Sequence, residues 1–317
     1  MEEIRTQDAL LTLRLLGGCE VLTREGPVRL ATVKARALLA FLALRPGPHS
    51  RVKLQGLLWG GMPDARAGQN LRKALWELRK ALPKEAASLL RADRKEVAFD
   101  PGEGGLSDAR RFLDACDEIG RRGVSPTPPT RPLDAFEAAA ELYRGELLEG
   151  LYVEGAQEFE EWLLTEREHY RGRAAETFER LAQLREARGD PARALHFARR
   201  LLSLDRWREE SHRAVMRLLA LTGQRGAALS QFETCRRVLA EELQSEPSEE
   251  TLALRDEIVA ATRAPSPGGA MPPKATPACV PHNLPAPSTP FVGRDGELSK
   301  VRILLRGPDC RLLTLVG

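Results

Sequence analysis

Histidine and cysteine are too sparse and too scattered to build a reactive centre. The five cysteines (Cys19, Cys116, Cys235, Cys279, Cys310) form no C-x-x-C pair and have no histidine at metal-ligand spacing. The five histidines are equally dispersed, so neither a metal cluster nor a Ser-His-Asp type triad can be assembled from sequence neighbours. No metal, no cofactor and no enzymatic activity are therefore expected. No run approaches the roughly 20 apolar residues that a membrane helix requires. The start, Met1-Glu2-Glu3-Ile4-Arg5, lacks a basic segment followed by an apolar one. These absences argue against a membrane span, an exported disulfide scaffold and a metalloenzyme. A cytoplasmic chain with reduced thiols is the expectation.

What is present is an uneven charge. Residues 1–105 carry 18 Lys+Arg against 12 Asp+Glu, whereas 106–317 carry 30 against 33, so a net +6 faces a net −3. The basic end is the candidate for a polyanionic partner. Arginine outnumbers lysine 40 to 8, from which nothing functional follows.

Leu11, Leu13 and Leu15 alternate with Thr12 and Arg14, and the period of two continues in Glu20–Thr23 and in Val28-Arg29-Leu30. Three short antiparallel strands are expected. From Thr32 the apolar residues Val33, Ala37, Leu38, Phe41, Leu42 and Leu44 recur at helical spacing until Arg45-Pro46-Gly47-Pro48. A second helix follows the cap Ser50 and stops at Gly60-Gly61. A third runs from about Arg66 to Leu82, with Leu71, Ala74, Leu75, Leu78 and Leu82 as its apolar stripe. Leu89-Leu90-Arg91 and Glu96–Phe99 then flank Ala92-Asp93-Arg94-Lys95 as a β-hairpin. Together these elements give a winged helix-turn-helix of α+β type, at residues 10–105, whose patterning is expected to supply a core of its own.

From Ser107 to about Ile258 the pattern is helical almost throughout. Gly189/Gly223, Ala194/Ala228, Leu195/Leu229, Leu181/Val215 and Leu184/Leu218 pair at an offset of 34 residues, the tetratricopeptide period. Neither helix pair of such a unit buries its apolar face alone, so the units stack. The fold class is thus mainly α, with an all-α tetratricopeptide-like solenoid at 106–262. Its concave surface suits a peptide, a partner domain or a second copy. A linker with eight prolines follows at 263–289.

Lys34–Ala40, Leu57-Leu58-Trp59 and Asn70–Leu82 resemble the winged helix of the SARP/BTAD activators, a domain related to the output domain of response regulators. Tyr143–Gly150, Glu209–Met216 and Glu241–Pro247 resemble the bacterial transcriptional activator domain, with Gln244 where that family more often has glycine. The resemblance implies transcriptional activation by protomers on promoter direct repeats, contacts to RNA polymerase, and a homodimer among the arrangements open to the chain. Thr289–Leu298 and Arg311–Gly317 resemble the start of a STAND-type signalling NTPase, so that residues 290–317 read as its truncated beginning. No Walker lysine follows within the sequence, and no nucleotide is assigned.

Double-stranded DNA is the expected partner, because an α-helix fits the major groove and its outward residues reach base edges. On the third helix the residues opposite the leucines include Arg72, Lys73, Trp76, Arg79 and Lys80, and Asn70 stands beside them. Arg72 and Lys73 are the candidate base or phosphate contacts, while Arg79 and Lys80 lie further along toward the backbone. Trp76 has two readings: its ring packs on thymine methyls and sugars, or lies back against the protein. Arg91, Arg94 and Lys95 occupy the wing, suited to the minor groove. Arg51 and Lys53, at the start of the second helix, are candidate phosphate clamps. Two other readings remain open: a protein-interaction adaptor built on the repeats, and the front part of a nucleotide-driven switch.

Overall fold

The strand pattern at Leu11 resolves into β1 (Leu11–Arg14), with Leu11 and Leu13 buried and Thr12 and Arg14 facing outward. The computed structural model describes residues 9–100, 105–122 and 130–263, all within the unit Met1–Ala264. The linker and NTPase expectations, at 263–289 and 290–317, lie outside the described residues apart from Arg263.

β1 pairs antiparallel with β2 (Glu20–Thr23), which pairs with β3 (Gly26–Pro27). The third strand is thus earlier than Val28–Leu30, because Arg24-Glu25 turns the chain within two residues and Gly26 follows with φ of +118°. On its other edge β1 pairs parallel with a strand the alternation did not disclose, Gly105–Ser107. The sheet is four-stranded and mixed rather than a three-stranded antiparallel one.

Three helices follow: α1 (Val33–Leu44), α2 (Arg51–Trp59) and α3 (Asp64–Ala81). Thr32 caps α1 by accepting from the Ala35 N–H at 3.2 Å and donates to Glu77 of α3 at 2.8 Å, so one cap also fixes a helix crossing. Ser50 caps α2 through the Lys53 N–H at 3.2 Å. Between α1 and α2, Gly47–Ser50 forms β4 instead of a plain turn. It pairs with the second of the hairpin strands β5 (Leu90–Ala92) and β6 (Glu96–Phe99). Pro48 is tolerated because β4 is the edge of this three-stranded sheet. In chain order the short helix α4 (Lys84–Ala87) precedes β5, and Gly105–Ser107 is β7.

The remainder is helical: α5 (Asp108–Arg122), α6 (Thr130–Ala140), α7 (Gln157–Ala187), α8 (Pro191–Leu204), α9 (Glu209–Leu221), α10 (Arg225–Glu242) and α11 (Glu249–Arg263). The offset of 34 is visible in the backbone. Gly189 and Gly223 sit at φ of +74° and +77°. Asp190 N donates to Arg185 O at 2.9 Å, and Gln224 N to Leu219 O at 2.8 Å, in equivalent turns. The chain is mainly α, a winged helix-turn-helix followed by a tetratricopeptide-like solenoid.

The amino-terminal part does not have a separate core. One cluster of buried side chains runs from Leu11 through Leu71, Phe112, Leu148, Phe159 and Phe178 to Leu201, and a second holds Val215, Met216, Phe232 and Ile258. The join is polar as well. Asp108, buried at the start of α5, accepts from Leu15 N at 2.7 Å, Leu16 N at 3.3 Å and Ala109 N at 2.7 Å, and from Arg144 at 2.9 Å. Leu148 N donates to Leu15 O at 2.7 Å and Gly17 N to Glu146 O at 2.9 Å. A Cβ on Gly17 would lie 3.2 Å from the Arg144 carbonyl carbon, and one on Gly145 would lie 2.9 Å from the Gly17 Cα, so both crossings require glycine. The segment 143–150 is therefore a clasp on the β1–β2 turn.

Among the repeats, burial pushes the Glu209 carboxyl up, but hydrogen bonds from Thr251 and Ser248, helped by Arg213, outweigh it and hold it below its ordinary 4.5. A carboxyl with a depressed folded-state value contributes stability that is present above 4.5 and lost as pH falls through that folded value. Glu209→Gln should accordingly melt below wild type at pH 7, with the gap closing on acidification. Thermal melts from pH 7 to 3 read this, and a constant gap would exclude the linkage.

Candidate nucleic-acid interface

α3 has a buried side formed by Ala67, Gly68, Leu71, Ala74, Leu75 and Leu78. Opposite them Arg66, Gln69, Lys73, Trp76 and Lys80 are exposed at alternating spacings of three and four, the repeat of a single helical stripe. The helix begins at Asp64, two residues before the sequence pattern sets in, and this places Arg66 within the first turn. Gln69 lies on the face that the sequence pattern sets opposite the leucines, whereas Arg66 was missed there, although its phase with Lys73 and Lys80 was available to find it.

Trp76 takes the outward of its two readings, with 58% exposure and the Lys80 Nζ stacked 4.8 Å from the ring centroid. Lys73 lies 4.0 Å from Glu77, a carboxylate already engaged by Thr32. Arg72 is exposed, and its guanidinium leans back along the helix to within 3.9 Å of where a Gly68 Cβ would stand. Gly68 also faces the side chain of Gln55 of α2, which a Cβ there would meet at 3.6 Å, an ordinary contact. Asn70 turns away from the stripe and donates to the Met62 sulfur at 3.3 Å, bracing the turn before α3.

The remaining candidates divide by what holds them. Arg79 donates to Leu90 O at 3.4 Å and so ties α3 to the first wing strand. Arg91 lies 3.7 Å from Asp100 across the wing. Arg94, Lys95 and Lys53 are exposed. Arg51 is half-buried, and its Nε donates to Asp93 O at 2.8 Å while its backbone N–H donates to Lys95 O at 2.9 Å. The Asp93 carboxylate accepts from the N–H groups of Lys95 at 2.7 Å and Glu96 at 2.8 Å. Those N–H groups, Glu96 first and then Lys95, hold its carboxyl below the usual carboxylate value, with Arg51 and Lys95 adding to the effect.

Behind the helix-turn-helix, Phe41 of α1 meets Trp162 of α7 edge to face at 4.8 Å, Trp162 meets Phe159 at 5.2 Å, and Arg45 pairs with the buried Glu166. The opening of α7 is thus part of the support of the helix-turn-helix. Among the described residues no group of His, Cys, Asp or Glu could hold a metal, and no helix is long and apolar enough to cross a membrane.

The helical part of this arrangement has a match among known protein families. Residues 107–259 match the bacterial transcriptional activator domain. The matched segment opens at the last residue of β7, takes in the clasp at 143–150, and closes within α11. None of the curated proteins compared with the chain matches it. Among solved structures, that of Mycobacterium tuberculosis EmbR in complex with a low affinity phosphopeptide is similar, with a TM-score of 0.54 at 20% identity. The likeness covers 80% of this chain and 65% of the EmbR chain, and it is one of fold. It reaches beyond the bacterial transcriptional activator domain, because 80% coverage cannot be met by residues 107–259 alone.

Proposed function

We propose that the chain is a sequence-specific DNA-binding regulator of transcription that acts as an activator. The observation that carries this reading is the exposed stripe of Arg66, Gln69, Lys73, Trp76 and Lys80 on a helix whose other side is leucine and alanine core. Such a helix offers cations and a flat ring to a groove without exposing its own packing face. The wing, tied on by Arg79 and Arg51, supplies Arg94 and Lys95 for the adjacent minor groove. The match to the bacterial transcriptional activator domain supports a regulatory setting. Within this reading the winged helix occupies 10–105 and the repeat domain 106–262, protomers bind promoter direct repeats as a homodimer, and RNA polymerase is the second partner. The activity takes place in the cytoplasm and is binding rather than catalysis.

The test separates two kinds of contact on α3. Arg72→Ala is expected to weaken a selected site by about 1–3 kcal/mol while sparing non-specific DNA, as when a guanidinium reads a base edge. Lys80→Ala is expected to weaken all sequences alike and to lower the salt slope by about one, as when one phosphate contact and its released counterion are lost. Both are measured by titrating a duplex that the full chain selects from a random-sequence pool, at several salt concentrations. Wild-type affinity and slope in both variants would transfer the function to the repeats as a protein-interaction adaptor.

A further inference from the structure

The tip of the wing is held more tightly than a hairpin turn requires. Asp93 N donates to Glu96 O at 3.0 Å, and the Asp93 carboxylate collects the N–H groups of Lys95 and Glu96. These bonds are internal to the turn and do not fix where the tip points. Its direction is set from α2. β4 ends with Ser50 opposite Glu96, and the next residue, Arg51, reaches over the tip with its backbone N–H on Lys95 O and its Nε on Asp93 O. Arg79, by contrast, grips the wing only at its base, on Leu90 O.

We propose that Arg51 is a positioning residue, whose guanidinium locks the wing tip onto the start of α2 so that Arg94 is presented to the minor groove in fixed register with α3. The inference rests on the DNA-binding reading above. It differs from a phosphate clamp in what the side chain is for. A clamp needs only a cation at the α2 start, which lysine also provides as a compact charge on a flexible stem. A lock needs the planar guanidinium, whose Nε stands at a fixed distance and angle from the Asp93 carbonyl. An ordered tip pays its conformational entropy before DNA arrives, and the benefit appears in the contacts that tip makes.

The lock makes Arg51 and Arg94 act as one unit, whereas Arg72 on α3 acts separately. In the wild-type chain Arg94→Ala should weaken the selected duplex about tenfold, and in an Arg51→Lys background by less than about twofold, because the tip is no longer aimed. Arg72→Ala should cost the same factor in both backgrounds, since well-separated sites add. In the free protein, backbone order parameters at Asp93 and Arg94 should fall in Arg51→Lys from about 0.85 to below about 0.6, while those of Leu71 stay unchanged. An undiminished effect of Arg94→Ala in the Arg51→Lys background, or a tip that stays ordered there, would overturn the lock and leave Arg51 as a charge on the surface. A wild-type chain that selects no duplex would overturn the DNA-binding reading and the positioning role with it. The order parameters would then still report whether Arg51 holds the tip.

Discussion

Residues 1–105 expressed alone are expected not to fold cooperatively. The fragment would leave β1 without the far side of its surroundings: Leu15 N, Leu16 N, Leu15 O and Gly17 N all bond to residues between 108 and 148. Each buried backbone group left without a partner costs on the order of 1–3 kcal/mol. The apolar side is stripped as well, because Phe41 loses Trp162, and Ala109, Phe112, Leu147, Phe159 and Leu163 leave the shared cluster. Losses of this kind are comparable to the 5–15 kcal/mol by which a whole domain is ordinarily stable. The fragment should therefore give a broad thermal transition and bind a hydrophobic dye. A fragment extended to the end of α8 keeps the whole first cluster, loses only the partners of Ala194, Leu195 and Ala198, and should melt sharply. A sharp melt with dispersed amide resonances from 1–105 alone would show that the winged helix supplies a sufficient core.

Asp108→Ala should cost about 3–5 kcal/mol, the range for removing one partner from a buried charged network. The loss comes from the groups left behind, since three N–H donors and the Arg144 guanidinium converge on this one carboxylate. Asp108→Asn keeps an acceptor in place and should recover a large part of the loss. Burial pushes the Asp108 carboxyl above its usual value, with the three N–H bonds and Arg144 only partly opposing it. A raised carboxyl takes up its proton in the folded state first, so its linkage term favours folding as pH falls, opposite in sign to Glu209. Urea titration of the two variants at pH 7 checks the magnitude. A shift under about 1 kcal/mol for the alanine variant would mean the strand ends find other partners.

How much of this was legible beforehand follows from the range of the interactions involved. The cap at Ser50, the leucine stripe of α3 and the 34-residue offset are all set by neighbours within a few turns of chain and stand in the sequence, whereas the cap at Thr32 emerged only in the structure. β4 was hidden because Gly47-Pro48-His49-Ser50 carries no apolar alternation; its identity as a strand comes from the partner β6, nearly fifty residues away. β7 pairs with a strand more than ninety residues earlier and was hidden for the same reason. The segment 143–150 stood out as a family-like motif, yet nothing in its composition says that it grips Gly17. Gln244 is the converse. It occupies a left-handed position, φ +51°, where the related domains more often place glycine, and the chain accepts a side chain in a conformation that glycine adopts at lower cost. For the interface, the exposed basic phase of α3 could be read directly. The engagement of Arg51, Asn70 and Arg79 with the protein itself could not, because side-chain direction depends on elements joined only in space.

The shared core also decides what can be inherited or exchanged as one piece. α7, 31 residues long, begins against α2 and ends against α8, so the winged helix and the first repeat grow from a single rod about 46 Å in length. Recombination at residue 106 would pair the winged helix with a foreign clasp and a foreign partner in place of Trp162, and each would have to fit anew. Recombination beyond Leu201 spares the first cluster but divides the second, because Ala194, Leu195 and Ala198 on α8 pack with Val215, Met216 and Phe232. Exchange of the later repeats therefore has to refit only this face of α8, whereas exchange of the winged helix must carry α5 to α8 with it.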